Sequence, residues 1–350
     1  MTENENPRRE GEAPEAGTAA TPDAPARETP ATPDASGHGA EGQAAFDAAL
    51  SGTAHAEAAQ GPTRTLWGDA WGRLRRNKLA VLGAVWIVLM VLVALTADLW
   101  AQQWLGSPTD IDSTQAAALS KLPPSLEHPF GTDATGRDQL VRVIYGARVS
   151  LTVGIIATLI STAIGLVMGA IAAFYGGVWD TIIMRLADTF LAIPYTLFVI
   201  VMLAVIGQGI QNVFIAIGIL GWPSIARVFR SAILSVKEND YVDAARAMGA
   251  SDLRIVARHI FPNSVASIVV YATMNIGGAI LTESALSYLG MGVTPPTPSW
   301  GIMIQDGQTF LATQPWLMIM PGIAILTTVL AFTLLGDGLR DALDVKMKDA

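Results

Sequence analysis

The sequence predicts an all-α integral membrane protein, a six-helix bundle behind a disordered N-terminal tail, and three observations carry that prediction. Of 350 residues, 51% are hydrophobic and only 15% charged, well under the roughly 25% charged residues of a soluble domain. The apolar residues lie in uncharged runs too long for buried core helices. The net charge of −8 sits wholly in residues 1–62, where 11 Asp and Glu face three Arg, while the rest of the chain is neutral. With no Cys, a disulfide framework, a cysteine metal site and a thiol nucleophile are excluded.

Residues 1–62 are Ala, Pro, Gly, Glu, Asp and Thr with Phe46 as the sole aromatic residue. So little apolar surface cannot offset the entropy of ordering, so disorder is expected there. A secretory signal would place an apolar stretch directly after a basic start; here the first such stretch begins near Leu79 and reads as a retained anchor.

The spans are expected at about 79–99, 149–174, 186–206, 210–227, 263–282 and 316–336, within a transmembrane domain of residues 63–350. Leu79–Ala97 gives 19 uncharged residues, the length of one crossing. Thr189–Ala226 is uncharged for 38 residues, about twice a crossing. The turn-prone Gly207-Gln208-Gly209-Ile210-Gln211-Asn212 divides it into two helices. Pro194, Pro223 and Pro321 fall in or near spans, where each removes a backbone donor and favours a kink. Gly165 and Gly169 form a small-xxx-small face suited to helix packing.

Six spans put both termini on one side. If that side is cytoplasmic, 18 of the 22 Lys and Arg lie inside and only Lys121, Arg137, Arg142 and Arg148 outside. The positive-inside rule selects this orientation.

The internal connection 228–262 holds the sharpest pattern, Tyr241-Val242-Asp243-Ala244-Ala245-Arg246-Ala247-Met248-Gly249. Asn239 or Asp240 is placed to cap a helix, and Gly249 to end it in a left-handed conformation. Ala244, Ala245 and Met248 share a face at helical spacing, fit to lodge in a partner's groove. A second short helix is expected over Ser251–His259, until Pro262 breaks it. From the residues alone the pair could equally lie on lipid as an interfacial element.

Two external segments stand out. His128-Pro129-Phe130-Gly131-Thr132-Asp133-Ala134-Thr135-Gly136-Arg137-Asp138 leads into an amphipathic stretch at Leu140, Val141, Ile144 and Tyr145. Glu283-Ser284-Ala285-Leu286-Ser287-Tyr288 leads into Pro295-Pro296-Thr297-Pro298-Ser299-Trp300-Gly301. Read physically, both are structural loops. Glu283, an acid near the outer end of the fifth span, is a functional candidate as an intramembrane carboxylate, and closure of an outer gate or helix packing accounts for it as readily. Arg185 and Asp188, at i,i+3, are expected to pair or to snorkel. His259 reads as a cap for the second loop helix rather than a metal ligand.

The Asp243-Ala244-Ala245 triplet, with Gly249 four residues on and Pro262 after twelve more, resembles the "EAA loop" of binding-protein-dependent ABC importer permeases. Asp243 stands where that family usually has Glu, and Phe261 where Leu is usual. The two external segments resemble the C-type permease subunit of dipeptide, oligopeptide and nickel ABC importers. The resemblance runs from about Leu66 to the C-terminus and leaves out the acidic tail. It implies a permease bundle with no catalytic residue, cofactor or metal of its own. A homologous permease subunit, two cytoplasmic ATPase subunits that bind ATP and Mg, an extracytoplasmic solute-binding protein and the lipid bilayer would be its partners. Tyr241, Asp243, Ala244, Ala245, Met248 and Gly249 would couple it to the ATPase subunits. Phe130, Gly131, Asp133, Gly136, Arg137, Asp138, Glu283, Pro296 and Trp300 would form outer loops and gate. The solute would be a di- or oligopeptide, with glutathione or nickel as alternatives.

Enzymatic signatures are missing from the sequence: no Lys follows Gly in a phosphate loop, and neither His-Glu-x-x-His nor Gly-x-Ser-x-Gly occurs. The basic residues form no aromatic-rich patch, which argues against nucleic acid. Two rival classes are an ion-driven secondary transporter, which would need acids within the spans, and a membrane scaffold that moves no solute.

Overall fold

The computed structural model describes residues 66–105, 107–109, 116–256 and 261–343. The expected acidic tail, and His259 with the last residues of the second loop helix, lie outside them. All named elements are helical. They are α1 (Leu66–Arg76), α2 (Lys78–Leu105), α3 (Ala116–Leu119), α4 (Gln139–Tyr175), α5 (Gly177–Ala192), α6 (Tyr195–Ile206) and α7 (Ile210–Lys237). After these come α8 (Asp240–Ala247), α9 (Asp252–Ile255), α10 (Phe261–Tyr288), α11 (Trp300–Gly307) and α12 (Trp316–Leu343).

Among the described residues, five helices are long and apolar enough to cross a membrane, and α5 with α6 supplies a sixth if that pair counts as one span. The pair is bent by 90°. The third span, expected over 186–206 with a kink favoured at Pro194, is thus two helices, Gly177–Ala192 and Tyr195–Ile206, with the break at that proline. Pro194 lacks an N–H and holds Ile193 in extended backbone, so the chain cannot continue one helix through that point.

Other boundaries also differ from the sequence reading. The second span is continuous with the amphipathic stretch before it and begins at Gln139 rather than near 149. Asp138 explains this early start, because its Oδ1 accepts from the N–H groups of Leu140 at 2.8 Å and Val141 at 3.1 Å. The fourth span runs through Pro223 to Lys237, so the first ten residues of the expected internal connection are helical. At the hairpin between α6 and α7, Asn212 Nδ2 donates to the carbonyls of Ile206 and Gly207.

The core of the bundle is α4 against α7. A Cβ on Gly165 would lie 2.7 Å from Ile225 Cβ, and one on Gly169 2.7 Å from the Ala226 carbonyl oxygen. Only glycine admits that approach, the small-residue packing used where lipid supplies no hydrophobic drive between helices.

The bundle has two chemically distinct ends. One joins the start of α4 to the ends of α2 and α10 and to α11. Arg148 there donates to the Ala94 carbonyl and pairs with Asp98, and Trp300 Nε1 donates to the Val143 carbonyl at 2.9 Å. At the other end Arg230 grips Asp180 through Nε at 2.5 Å and Nη2 at 2.6 Å. Lys237 Nζ there donates to the Phe174 carbonyl at 3.2 Å. Asp188 takes Arg227 as its close partner, with Arg185 farther off at 3.9 Å.

Candidate functional site

Two groups of sequence-predicted residues occupy these two ends. The short helix α8 stands beyond the α7 terminus. Val242 is fully buried and packs with Ala173, Phe229, Ile233, Ile255 and Ile268. That anchor ties a polar two-turn helix to the bundle, an orienting contact that the sequence reading passed over. The one signal for it was a β-branched residue in an otherwise polar turn. Asp243, Met248 and Gly249 are exposed, Met248 by 82%. Tyr241, Ala244 and Ala245 fall on α8 by position. Asn239 Nδ2 donates back to the Ser235 and Val236 carbonyls at the end of α7. Gly249 has φ +80, and an added Cβ would meet nothing within 4 Å, so backbone conformation rather than crowding requires glycine there.

At the opposite end the loop before α4 is a polar knot around Asp133. Its Oδ1 accepts from the Thr135 N–H and hydroxyl, both at 2.8 Å, and from the Arg137 N–H at 3.0 Å. Its Oδ2 accepts from Arg137 Nε at 2.7 Å and from Arg142 Nη1. Asp133 is 4% and Arg142 2% exposed, so this pair is removed from water. Arg142 also reaches Asp306 at 3.4 Å. Asp138, besides capping α4, pairs with His128 Nδ1 at 2.8 Å. Arg142 was not among the predicted site residues, although its place one turn into α4 aims it back at the loop.

Burial pushes the Asp133 carboxyl up, but the guanidiniums of Arg142 and Arg137 and the Arg137 and Thr135 donors more than reverse this. The group is held below the ordinary carboxylate range. A carboxyl lowered on folding contributes stability above its unfolded value of about 4 and loses it as the pH falls through the native value. Thermal melts of purified protein should therefore show the gap between the native chain and Asp133→Asn narrowing below about pH 4. A gap independent of acid pH would contradict the ion-pair role.

Glu283 is fully buried in a separate cluster. Its carboxylate accepts from Ser150 at 2.9 Å, Ser287 at 2.8 Å and Ser284 at 3.3 Å. The Ser287 hydroxyl accepts in turn from the Val293 N–H at 3.2 Å. Glu283 thus links α4, α10 and the following loop, and it does not touch the Asp133 knot. Trp300 is buried, Phe130 half-buried and Pro296 exposed. Gly131 and Gly136 are turn positions of the knot with φ +74 and +82. Among the described residues, no three His, Asp or Glu side chains are grouped to hold a metal ion.

Residues 165–349 match the model of the "binding-protein-dependent transport system inner membrane component" family, and residues 65–124 match "N-terminal TM domain of oligopeptide transport permease C". The chain is 43% identical over 285 residues to the glutathione transport system permease protein GsiD of Escherichia coli strain UTI89, covering 81% of this chain and 92% of that one. The GsiD protein of Shigella boydii serotype 4 gives the same identity and coverage. A solved structure of the MetNI methionine ABC transporter in an inward-facing conformation aligns at 19% identity and a TM-score of 0.49, over 59% of this chain and 97% of that one.

Proposed function

Because the chain belongs to the family of binding-protein-dependent transport system inner membrane components, we propose that α8 is the lever through which ATP-hydrolysing subunits drive the passage of a peptide. The chain is a multi-pass inner-membrane permease subunit of an ABC importer and not an enzyme. It works with ATPase subunits and with a solute-binding protein. Two ATPase subunits that bind ATP and Mg, and a homologous permease partner that completes the pathway, are part of the proposal.

One observation carries the reading of α8. It is a two-turn helix whose only described buried side chain, Val242, fixes it to the α7 terminus, while Asp243 on it and Met248 just past its end are exposed. A rigidly anchored helix with an open face can be pushed without unfolding, which is what coupling two conformations of a bundle to a partner requires. In this reading that end, and both chain termini, are cytoplasmic, an orientation that the bias of Lys and Arg supports. The Asp133 and Glu283 clusters then face outward, as braces for the surface that receives the solute-binding protein.

A short peptide is the proposed solute. The GsiD relatives favour a second reading, glutathione, itself a tripeptide. Liposomes containing the whole transporter, its binding protein and internal ATP should accumulate radiolabelled trialanine or glutathione. Accumulation should stop without ATP even when an ion gradient is imposed. Uptake driven by the gradient alone would overturn the assignment in favour of a secondary transporter, and ATP turnover with no uptake would favour a scaffold.

A further inference from the structure

A cavity of about 280 Å³ lies between α4, α7, α10 and the bend of α5 and α6. This is near the lower end of the roughly 300–1,000 Å³ of small-molecule sites. Its walls fall at the midpoints of three long helices: Thr158 on α4, Gly221 and Ser224 on α7, and Asn275 and Gly278 on α10. Leu191 and Tyr195 bring the break at Pro194 to the same space. Irregular backbone at membrane depth is tolerated where protein or a watered cavity meets it.

The lining is polar but uncharged. Thr158, Ser161, Tyr195, Ser224, Asn275 and Thr282 supply hydroxyls and one amide, and no lining residue carries a charge. Most donors are spent inside the protein. Ser161 donates to the Ala157 or Gly218 carbonyl, Tyr195 to Ile217, Thr282 to Gly278, and Asn275 Nδ2 to Tyr271. What remains are chiefly acceptor lone pairs. Two hydroxyls stand outside that set, those of Ser224 and of the more deeply buried Thr158. Thr158 is 4% exposed, and its hydroxyl has no hydrogen-bond partner at all. A buried donor left unmade is a penalty that a bound polar group would remove.

The geometry points to this mid-bundle cavity as the contact site for the amide backbone of a passing peptide. Acceptors such as Asn275 Oδ1 would take its N–H groups, and the Thr158 hydroxyl would donate to one of its carbonyls. An uncharged lining reads main chain and does not pair with ionised side chains, so peptides of either charge are accommodated. It offers neither carboxylate nor imidazole to a bare nickel ion. The inference rests on the transport function proposed above and names the solute-contacting residues of that pathway.

The test uses the complete transporter in liposomes, supplied with saturating binding protein and an equimolar mixture of Ala-Lys-Ala and Ala-Glu-Ala. Asn275→Asp should raise the ratio of lysyl to glutamyl peptide accumulated by about tenfold over the unaltered complex, since one unscreened charge now faces the solute. A ratio cancels differences in expression, and a purely structural role for Asn275 would not move it. Gly278→Leu is the steric counterpart. A Cβ there meets nothing within 4 Å, so the longer side chain enters the cavity without displacing protein. It should reduce accumulation of both peptides at least tenfold in complexes recovered at the native amount. An unchanged ratio in Asn275→Asp together with native uptake by Gly278→Leu would overturn the inference while leaving the transport function intact. An unaltered complex that accumulates neither peptide would overturn both.

Discussion

Asp133→Asn is expected to destabilise the permease by about 3–5 kcal/mol, the usual penalty for breaking a buried ion pair from one side. The reason lies with Arg142. That guanidinium is as buried as the carboxylate it faces, and its remaining acidic neighbour, Asp306, is half-exposed and 3.4 Å away. Losing Asp133 leaves a cation out of water with one weak partner. The loop also loses the Oδ2 acceptor shared by Arg137 Nε and Arg142 Nη1, and an amide donor stands against those two donors in its place. The melting temperature in detergent should fall on the order of 10 °C. The double replacement Asp133→Leu with Arg142→Met should recover much of the loss, because it removes the stranded charge. A single variant that melts within a degree of the native chain would show that the knot is not what holds this loop.

The second large effect concerns α8. Ala245→Arg or Gly249→Trp should leave the protein inserted at native abundance, by immunoblot of membranes, yet cut ATP-driven uptake roughly 100-fold, the equivalent of a docking contact worth about 2.7 kcal/mol. Gly249 sits at φ +80, so any side chain there adds a strain of about 1–2 kcal/mol. Nothing lies within 4 Å of the new Cβ, so that strain stays local and the bundle survives. Full uptake by both variants would refute the lever.

Much of the architecture was legible because lipid simplifies the code. Uncharged runs of crossing length marked the spans, and Gly165 and Gly169 marked a close helix contact, that of α4 with α7. The misjudged features share a cause, since each depends on which neighbour a residue meets. Pro194 breaks its helix by 90° whereas Pro223 rides inside α7, and hydropathy treats the two alike. Asp138 lengthens α4 by ten residues because its carboxylate finds two backbone N–H groups, a local event that a charge-based boundary misses. Within the candidate sites, the exposed positions were readable as motif. Their supports were not: Val242 beneath α8, Arg142 behind Asp133 and the serines around Glu283 gain meaning only from contacts remote in sequence. The Thr158 cavity left no trace in the sequence, because one threonine in a long apolar helix is ordinary until its hydroxyl lacks an acceptor.

The lever itself can be tested by chemistry that the chain makes clean, since it contains no Cys. Met248→Cys puts a single thiol of this chain at an exposed position directly after the last residue of α8. With a short thiol-to-amine crosslinker, in membrane vesicles holding the transporting complex, that thiol should capture an ATP-hydrolysing subunit at high yield. A complex that still imports peptide but yields no such adduct would contradict the coupling account at its root.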